Sequence, residues 1–267
     1  MIKVANAPVS YGAFELTVGV LPNVPGPDQI LDAIAEAGYA GSELGPLGYL
    51  GEGDALHERL ESRGLQLAGA FVELRFGDGD LSPLAATLDL LAGFDAQPVL
   101  CDQGPRDGSV DLDGIARAVD LARTRGFEPS FHHHMGTRVQ TTAEIERLLG
   151  GTDVALLLDS GHLTAAGGDA VQAARDWRDR IGHLHIKDVR LDVLREVPRW
   201  DDAWRAGAFC ELGTGDVDLQ GMFEQLGGYS GWVVVEQDWV PQRGADLAEQ
   251  IAAQARNRRW LADHAGL

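Results

Sequence analysis

The chain has 267 residues, 45% of them hydrophobic, and this length and composition predict a globular protein that buries a large core. Its 41 acidic and 22 basic residues give a formal net charge of −19, which repels nucleic acid phosphates and anionic membrane surfaces. We therefore expect neither nucleic acid nor a membrane as a partner. The sequence shows no signal peptide and no apolar run long enough to span a bilayer, which favours a cytoplasmic protein.

Short apolar segments alternate with amphipathic helical patterns along the whole chain. The predicted strands cover residues 3–7, 41–44, 67–72, 98–101, 128–132, 154–158, 182–186 and 232–236. The predicted helices cover residues 28–37, 53–63, 81–92, 110–124, 142–149, 171–178, 219–226 and 245–262. This rhythm is typical of a (β/α)8 TIM barrel, so we predict an α/β protein in which residues 1–267 form a single domain. A doubly wound open sheet is the alternative.

Two of the predicted helices begin with residues that commonly cap a helix. Asp28 follows Pro27 at the first helix, and Thr141 precedes the fifth helix with Glu144 close behind. Such side chains accept hydrogen bonds from the free N–H groups of the first helical turn. We expect both helices to begin at these positions.

One connection is much longer than the others. Residues 191–218 follow the seventh predicted strand and hold Trp200, Trp204 and Phe209 among charged residues. A loop of this length in a compact domain usually serves as a lid or a binding element. We expect it to cover the site, and a surface insertion without function is the alternative.

Imidazole and carboxylate side chains follow the last four predicted strands, where a barrel assembles its site. Because side chains alternate along a strand, His132 and His134 share one face while His133 takes the other. By the same alternation, His185 shares a face with His183 and Lys187. These strand ends therefore supply the candidates for chemistry.

Four of these residues match the requirements of a divalent metal site. His132, Asp159, His185 and Glu236 come from four different strand ends and offer nitrogen and carboxylate oxygen ligands. A single histidine is more often an ordinary core or surface residue, but four successive strand ends reverse that expectation. The mixed ligand set suits Mn, Co, Zn or Fe better than calcium, and the order of metal affinities does not choose among them. We expect Mn or Co, with Zn, Fe and Mg as alternatives.

Two further segments have more than one interpretation. Glu43, at the end of the second predicted strand, either binds a polyol hydroxyl or caps the next segment. Residues 213–216 read Gly-Thr-Gly-Asp, but they lack the lysine and the spacing of a phosphate-binding loop. We interpret that segment as a turn.

Five motifs between residues 132 and 238 stand out, namely HHHMGT, LLLDSGH, GHLHIKDVR, LGTGDVDL and GWVVVEQD. Together they resemble the xylose isomerase-like TIM barrel superfamily of sugar isomerases and epimerases, and within it most closely the inosose dehydratases. The resemblance implies one divalent metal bound by Glu, Asp, His and Glu, of which Asp159, His185 and Glu236 match the last three. His132 replaces the first glutamate, as in the inosose dehydratases.

This replacement bears on the reaction. The resemblance implies that epimerases and isomerases of the superfamily move a proton with two metal-bound glutamates, and this chain keeps only Glu236. A dehydratase that eliminates water from a cyclic polyol ketone through a metal-stabilised enediolate is compatible with the groups present. We expect His132 or Glu236 to orient the metal and assist as a base. His134 or His162 then protonates the leaving hydroxyl, and Lys187 neutralises negative charge on oxygen.

The sequence leaves four hypotheses about the function. A metal-dependent lyase acting on a small polyol or sugar is preferred, and a sugar or sugar-phosphate isomerase or epimerase of the same fold is the alternative. Glu43, His134, His162 and Lys187 are the candidates for substrate contacts. The net charge argues against a DNA repair endonuclease. A barrel that binds a small molecule without catalysis would be favoured if the purified protein held no metal and a chelator changed nothing. A homodimer or a homotetramer stays open.

Overall fold

The computed structural model describes residues 2–104, 106, 109–197, 199, 202–241 and 246–267. A sheet of parallel strands lies at its centre, in the order β3-β2-β1-β11-β8-β7-β6-β5-β4. These strands are β1 (Lys3–Asn6), β2 (Gly41–Ser42), β3 (Gln66–Leu67), β4 (Gly69–Leu74), β5 (Gln97–Asp102), β6 (Ser130–His132), β7 (Ala155–Asp159), β8 (Ile181–Ile186) and β11 (Trp232–Val235). A separate antiparallel pair consists of β9 (Asp188–Val189) and β10 (Phe209–Cys210).

The sheet closes on itself at Ala68. β3 and β4 are two pieces of the third predicted strand, and β3 pairs with β2 while β4 pairs with β5. The Ala68 N–H donates to the Ser42 carbonyl (2.9 Å), and the Ala68 carbonyl accepts from the Gln97 N–H (3.2 Å). The TIM barrel prediction is therefore confirmed, and the open sheet is excluded.

Helices surround the barrel and follow its strands. Their bounds are α1 (Pro27–Glu36), α2 (Gly53–Glu61), α3 (Ser82–Leu91), α4 (Leu112–Thr124), α5 (Thr142–Gly151), α6 (Ser160–Ala165), α7 (Ala170–Asp176), α8 (Leu191–Glu196), α9 (Ala203–Ala206), α10 (Leu219–Gln225) and α11 (Leu247–Ala265). α4 shows why they form: Ile115, Ala118, Val119 and Ala122 recur at helical spacing and are all buried. Of the helices in the described ranges, none has the length and apolar character needed to cross a membrane.

The described residues between 191 and 218 form a folded excursion rather than an open loop. They contain α8, α9 and β10, and β10 pairs with β9 directly after the seventh barrel strand. The buried Asp188 carboxylate accepts hydrogen bonds from the N–H groups of Gly213, Gly215 and Val217 at 2.9 to 3.1 Å. The glycine segment is thus a turn, as predicted, and it is fixed around an aspartate. Trp200 lies outside the described residues.

The two predicted helix caps have different outcomes. Thr141 caps α5 in a capping box, because its hydroxyl accepts from the Glu144 N–H and the Glu144 carboxylate accepts from the Thr141 N–H. α1 instead begins after Gly26, and no side chain caps its first turn. The predicted helix start at Pro27 and Asp28 agrees with the structure, but the predicted cap was wrong, because Pro27 takes the first helical position and Asp28 lies within the first turn.

Removing the Glu144 carboxylate is expected to lower the free energy of unfolding by about 1 kcal/mol at neutral pH. Partial burial opposes its charge, but the Arg106 guanidinium and the Thr141 and Gln140 N–H groups outweigh burial and lower the pKa of Glu144 to about 2. A lowered folded-state pKa stabilises the protein above the ordinary value of about 4.5 and loses that effect as the pH falls toward 2. Urea unfolding of Glu144→Ala and wild type should therefore differ at pH 7 and converge near pH 2. A difference that persists at pH 2 would contradict the assignment.

Candidate metal centre and active site

Four barrel strands place residues at or next to their C-terminal ends around one point. His132 ends β6, Asp159 ends β7, His185 lies near the end of β8 and Glu236 follows β11. One ligand atom from each of these residues lies within 4.8 Å of the others, and all four residues are buried. The predicted metal-ligand set is thus brought together in space, and it includes His132 rather than His134.

The side-chain orientations fit a cation at this point. His132 directs Nδ1 to the His133 carbonyl, which leaves Nε2 facing Asp159 Oδ2 at 3.8 Å. His185 Nδ1 lies 3.0 Å from Glu236 Oε2 and 3.7 Å from Asp159 Oδ2. Asp159 Oδ2 and His185 Nδ1 are buried, and none of their contacts with the described residues has the geometry of a hydrogen bond. Because buried polar atoms are normally satisfied, a ligand that accepts these lone pairs accounts for both atoms.

Glu43 lies behind this set and holds two imidazole rings. Its Oε1 is 3.0 Å from His183 Nε2 and 3.1 Å from His185 Nε2. Burial opposes the charge on Glu43, but the two histidines outweigh burial and lower the pKa of Glu43 well below its usual value. Burial likewise opposes the charged His185 ring, yet Glu236 and Glu43 raise the pKa of His185. A carboxylate on the far nitrogen orients a ligating histidine and increases its basicity.

Lys187 is the central cation of the site. Its Nζ lies 2.8 Å from Asp238 Oδ1, 3.1 Å from Glu236 Oε2 and 3.4 Å from Asp159 Oδ2. Burial disfavours the ammonium, but these three carboxylates outweigh burial and raise the pKa of Lys187. Nζ is also 3.0 Å from His162 Nε2, so this imidazole nitrogen accepts from the ammonium. Lys187 therefore stays charged and neutralises part of the carboxylate cluster.

The two candidate proton-transfer histidines lie at different depths. His134 lines the cavity, and its Nδ1 donates to the Met135 carbonyl at 2.7 Å, which leaves the lone pair on Nε2. Burial and the Lys187 ammonium lower the pKa of His134 to about 4, so its ring is neutral at pH 7. His162 is fully buried behind Lys187, with its ring centroid 3.8 Å from that of His134. Burial, His134 and Lys187 lower its pKa as well.

A cavity of about 600 Å³ opens above these groups. Its floor is polar, and its lining includes Glu43, His132, His134, His185, Lys187, Glu236 and Asp238. The excursion after β8 contributes Arg199, Trp204 and Arg205 to the wall, and the Trp204 and Phe14 rings pack edge to face with their centroids 5.7 Å apart. The predicted lid segment thus borders the site. The volume of the cavity suits a small polar ligand.

Asp238 is a site residue that the sequence reasoning did not select. It lines the cavity and contacts both Lys187 and, at 3.6 Å, His162 Nε2. Burial raises the pKa of Asp238 to about 6, although Lys187 opposes the shift. Strand alternation from Glu236 was the available signal, because residues two apart share a face.

Comparisons with known proteins agree on one family. A family model described as xylose isomerase-like TIM barrel matches residues 104–264. The inosose dehydratase of Geobacillus thermodenitrificans (strain NG80-2) is 30% identical over 305 aligned residues, covering 100% of this chain and 98% of the relative.

Two solved structures show the same fold at lower identity. The IolI protein with a bound zinc atom has a TM-score of 0.75 and 16% identity, covering 98% of this chain and 99% of that one. The probable 3-DHS dehydratase AsbF from Bacillus anthracis has a TM-score of 0.74 and 16% identity, with coverage of 97% and 98%.

Proposed function

The chain belongs to the xylose isomerase-like TIM barrel family, and from this premise we propose that it dehydrates a cyclic polyol ketone of the inosose class. Members of the matched group are enzymes, and the resemblance to the inosose dehydratases extends over the whole chain. The proposal names a hydro-lyase that removes water from its substrate.

The donor set carries the proposal. His132, Asp159, His185 and Glu236 would hold a divalent cation, for which we propose Mn²⁺ or Co²⁺, and the zinc bound by the IolI protein supports Zn²⁺ as an alternative. Such a cation supplies a Lewis acid that polarises a ketone and stabilises negative charge on oxygen. Because β6 contributes an imidazole, Glu236 is the one glutamate in the set. A proton shuttle between two glutamates is therefore disfavoured relative to elimination.

His134 is proposed to transfer the proton. Its neutral ring lines the cavity and presents the Nε2 lone pair, which takes the hydrogen from the carbon beside the ketone. The electron pair of that C–H bond forms a double bond, and the C–O bond one carbon farther on breaks. The protonated His134 then returns its proton to the departing hydroxide, which leaves as water. The resulting enol rearranges to a diketone, so atoms and charge balance.

Lys187 is proposed to stabilise the charge that develops during this step. Its ammonium lines the cavity and is fixed by Asp238, while His162 accepts one of its hydrogens from behind. A fixed cation in a closed site stabilises a developing oxyanion without reorganisation. We assign His162 to the positioning of Lys187 rather than to direct proton transfer, because His162 has no exposed surface.

Incubation of the purified protein with an inosose and Mn²⁺ or Co²⁺ tests the function. We expect an ultraviolet absorbance from the enolised diketone and a product lighter by one water in mass spectrometry. The same reaction in deuterium oxide separates the alternatives. Deuterium incorporation without loss of water would indicate an isomerase or epimerase and would overturn the dehydratase proposal, as would full activity after thorough chelation.

Replacing Glu43 with glutamine is expected to weaken Co²⁺ binding by about 10-fold to 100-fold, because the far side of His185 loses its carboxylate. The amide keeps the volume and one acceptor oxygen, so the barrel should remain folded. Co²⁺ titration followed by visible absorption measures the effect. Glu73→Gln is a matched control, because Glu73 also lines the cavity but is outside the metal-ligand groups of the described chain. Equal affinities in both variants would contradict the orienting role.

A further inference from the structure

The last helix carries an unusual buried face. α11 turns Gln250, Gln254 and Asn257 toward the barrel, and these three amide side chains are at most 6% exposed. The core-facing stripe of such a helix is normally apolar, because a buried amide is costly unless its hydrogen bonds are made. The amides of α11 make hydrogen bonds, and one of their partners, Gln237, stands between two residues that line the cavity.

Gln254 is the hub of this network. Its Oε1 accepts from Asn6 Nδ2 (3.1 Å) on β1 and from Asn257 Nδ2 (3.2 Å) on its own helix. Its Nε2 donates to Gln237 Oε1 at 3.0 Å. Asn257 in turn accepts from the Leu212 N–H (2.9 Å) in the excursion after β8. The Gln254 side chain thus makes three hydrogen bonds, two accepted by Oε1 and one donated by Nε2.

Gln237 connects the hub to the site because it stands between Glu236 and Asp238. Both neighbours line the cavity, whereas the Gln237 side chain points to the helix layer and meets Gln254. The Gln237 backbone N–H also donates to Ser10 Oγ at 3.0 Å. This residue is thus held at its backbone and at its side chain, which restricts the backbone that carries Glu236 and Asp238.

We propose that Gln254 is a positioning residue that acts through Gln237 to set the placement of Glu236 and Asp238 in the metal centre. This inference rests on the proposed metal-dependent function, since Glu236 is one of the four metal donors. An apolar core at this position would bury α11 equally well but would leave the segment after β11 without its outer anchor.

Methionine variants of the two glutamines test the proposal by Co²⁺ binding. Gln254→Met and Gln237→Met keep the side-chain length and remove the hydrogen bond between the residues. We expect each to weaken Co²⁺ affinity by about 10-fold and to shift the visible d–d bands, which report ligand geometry. The double variant should bind no more weakly than the weaker single variant, because both changes remove the same contact. If Gln254→Met fails to fold, Gln237→Met tests the same hydrogen bond through the partner that lies next to the site.

Tyr39→Phe provides the structural control. The Tyr39 hydroxyl donates to the Gln254 backbone carbonyl at 2.9 Å and also interacts with the Asn6 side chain, so its replacement leaves the bond between Gln254 and Gln237 in place. We expect this variant to melt at a lower temperature while its Co²⁺ affinity and spectrum stay those of the wild type. Unchanged affinity in both methionine variants, or additive losses in the double variant, would overturn the positioning role alone. A wild-type protein that binds no Co²⁺ would overturn the proposed function together with it.

Discussion

Replacing Asp159 with asparagine is expected to weaken divalent metal binding by about 100-fold or more and to reduce turnover to the background rate. The two carboxylate oxygens of Asp159 have different surroundings. Oδ1 accepts from the His162 N–H (2.7 Å) and caps α6, whereas Oδ2 faces His132, His185 and Lys187. Asparagine caps helices about as well as aspartate, so the fold should survive while the negative ligand oxygen is lost.

Asp102→Asn is the matched control for this experiment. Asp102 is also fully buried at the end of a barrel strand, and its Oδ1 accepts from the Gly104 N–H at 3.0 Å. Its other oxygen lies 3.6 Å from Arg138 Nη1, and Asp102 belongs to none of the possible metal-ligand groups among the described residues. Equilibrium dialysis against Co²⁺ with metal analysis should show wild-type binding for Asp102→Asn. Normal metal content in Asp159→Asn would refute the proposed ligand set.

The barrel and the four candidate metal ligands were accessible to sequence reasoning because they depend on local pattern. Apolar segments followed by helical spacing fix the β/α repeat, and strand alternation directs the side chains of His132 and His185 inward. The break in the third strand was not accessible, because the Ala68 bonds to Ser42 and Gln97 depend on how the ring closes. The local pattern predicts the helices and strands, and the closure of the barrel sets their final bounds.

Site residues that act at long range were harder to predict. The choice between His132 and His134 required the ring orientations, since alternation puts both on one face. Glu43 meets His185 across 142 positions of the chain, and Asn6 meets Gln254 across 248. A single sequence offers no signal for such pairs, because neither residue type is unusual by itself and only the folded structure brings the two together. The roles of Glu43 and Gln254 therefore emerged only from the structure.

His134→Gln is expected to lower turnover by about 1,000-fold while Co²⁺ affinity changes less than about threefold. His134 is outside the four-donor set, but it lines the cavity with a neutral ring whose Nε2 carries the lone pair. Glutamine preserves much of the volume and polarity and cannot accept the carbon-bound proton as a base. Steady-state assays of the diketone absorbance, together with Co²⁺ titration, separate the loss of chemistry from the loss of metal.

The adjacent His133 supplies the matched control for this variant. His133 follows the last residue of β6, and its Nε2 accepts from the Asp159 N–H at 3.1 Å. Glutamine at position 133 retains an acceptor for that bond, so His133→Gln should keep turnover within a few-fold of wild type. In deuterium oxide, His134→Gln should also lose exchange of the hydrogen beside the ketone, because the same nitrogen removes that proton. Persistent exchange without elimination would place the base elsewhere and leave His134 only the protonation of the leaving hydroxide.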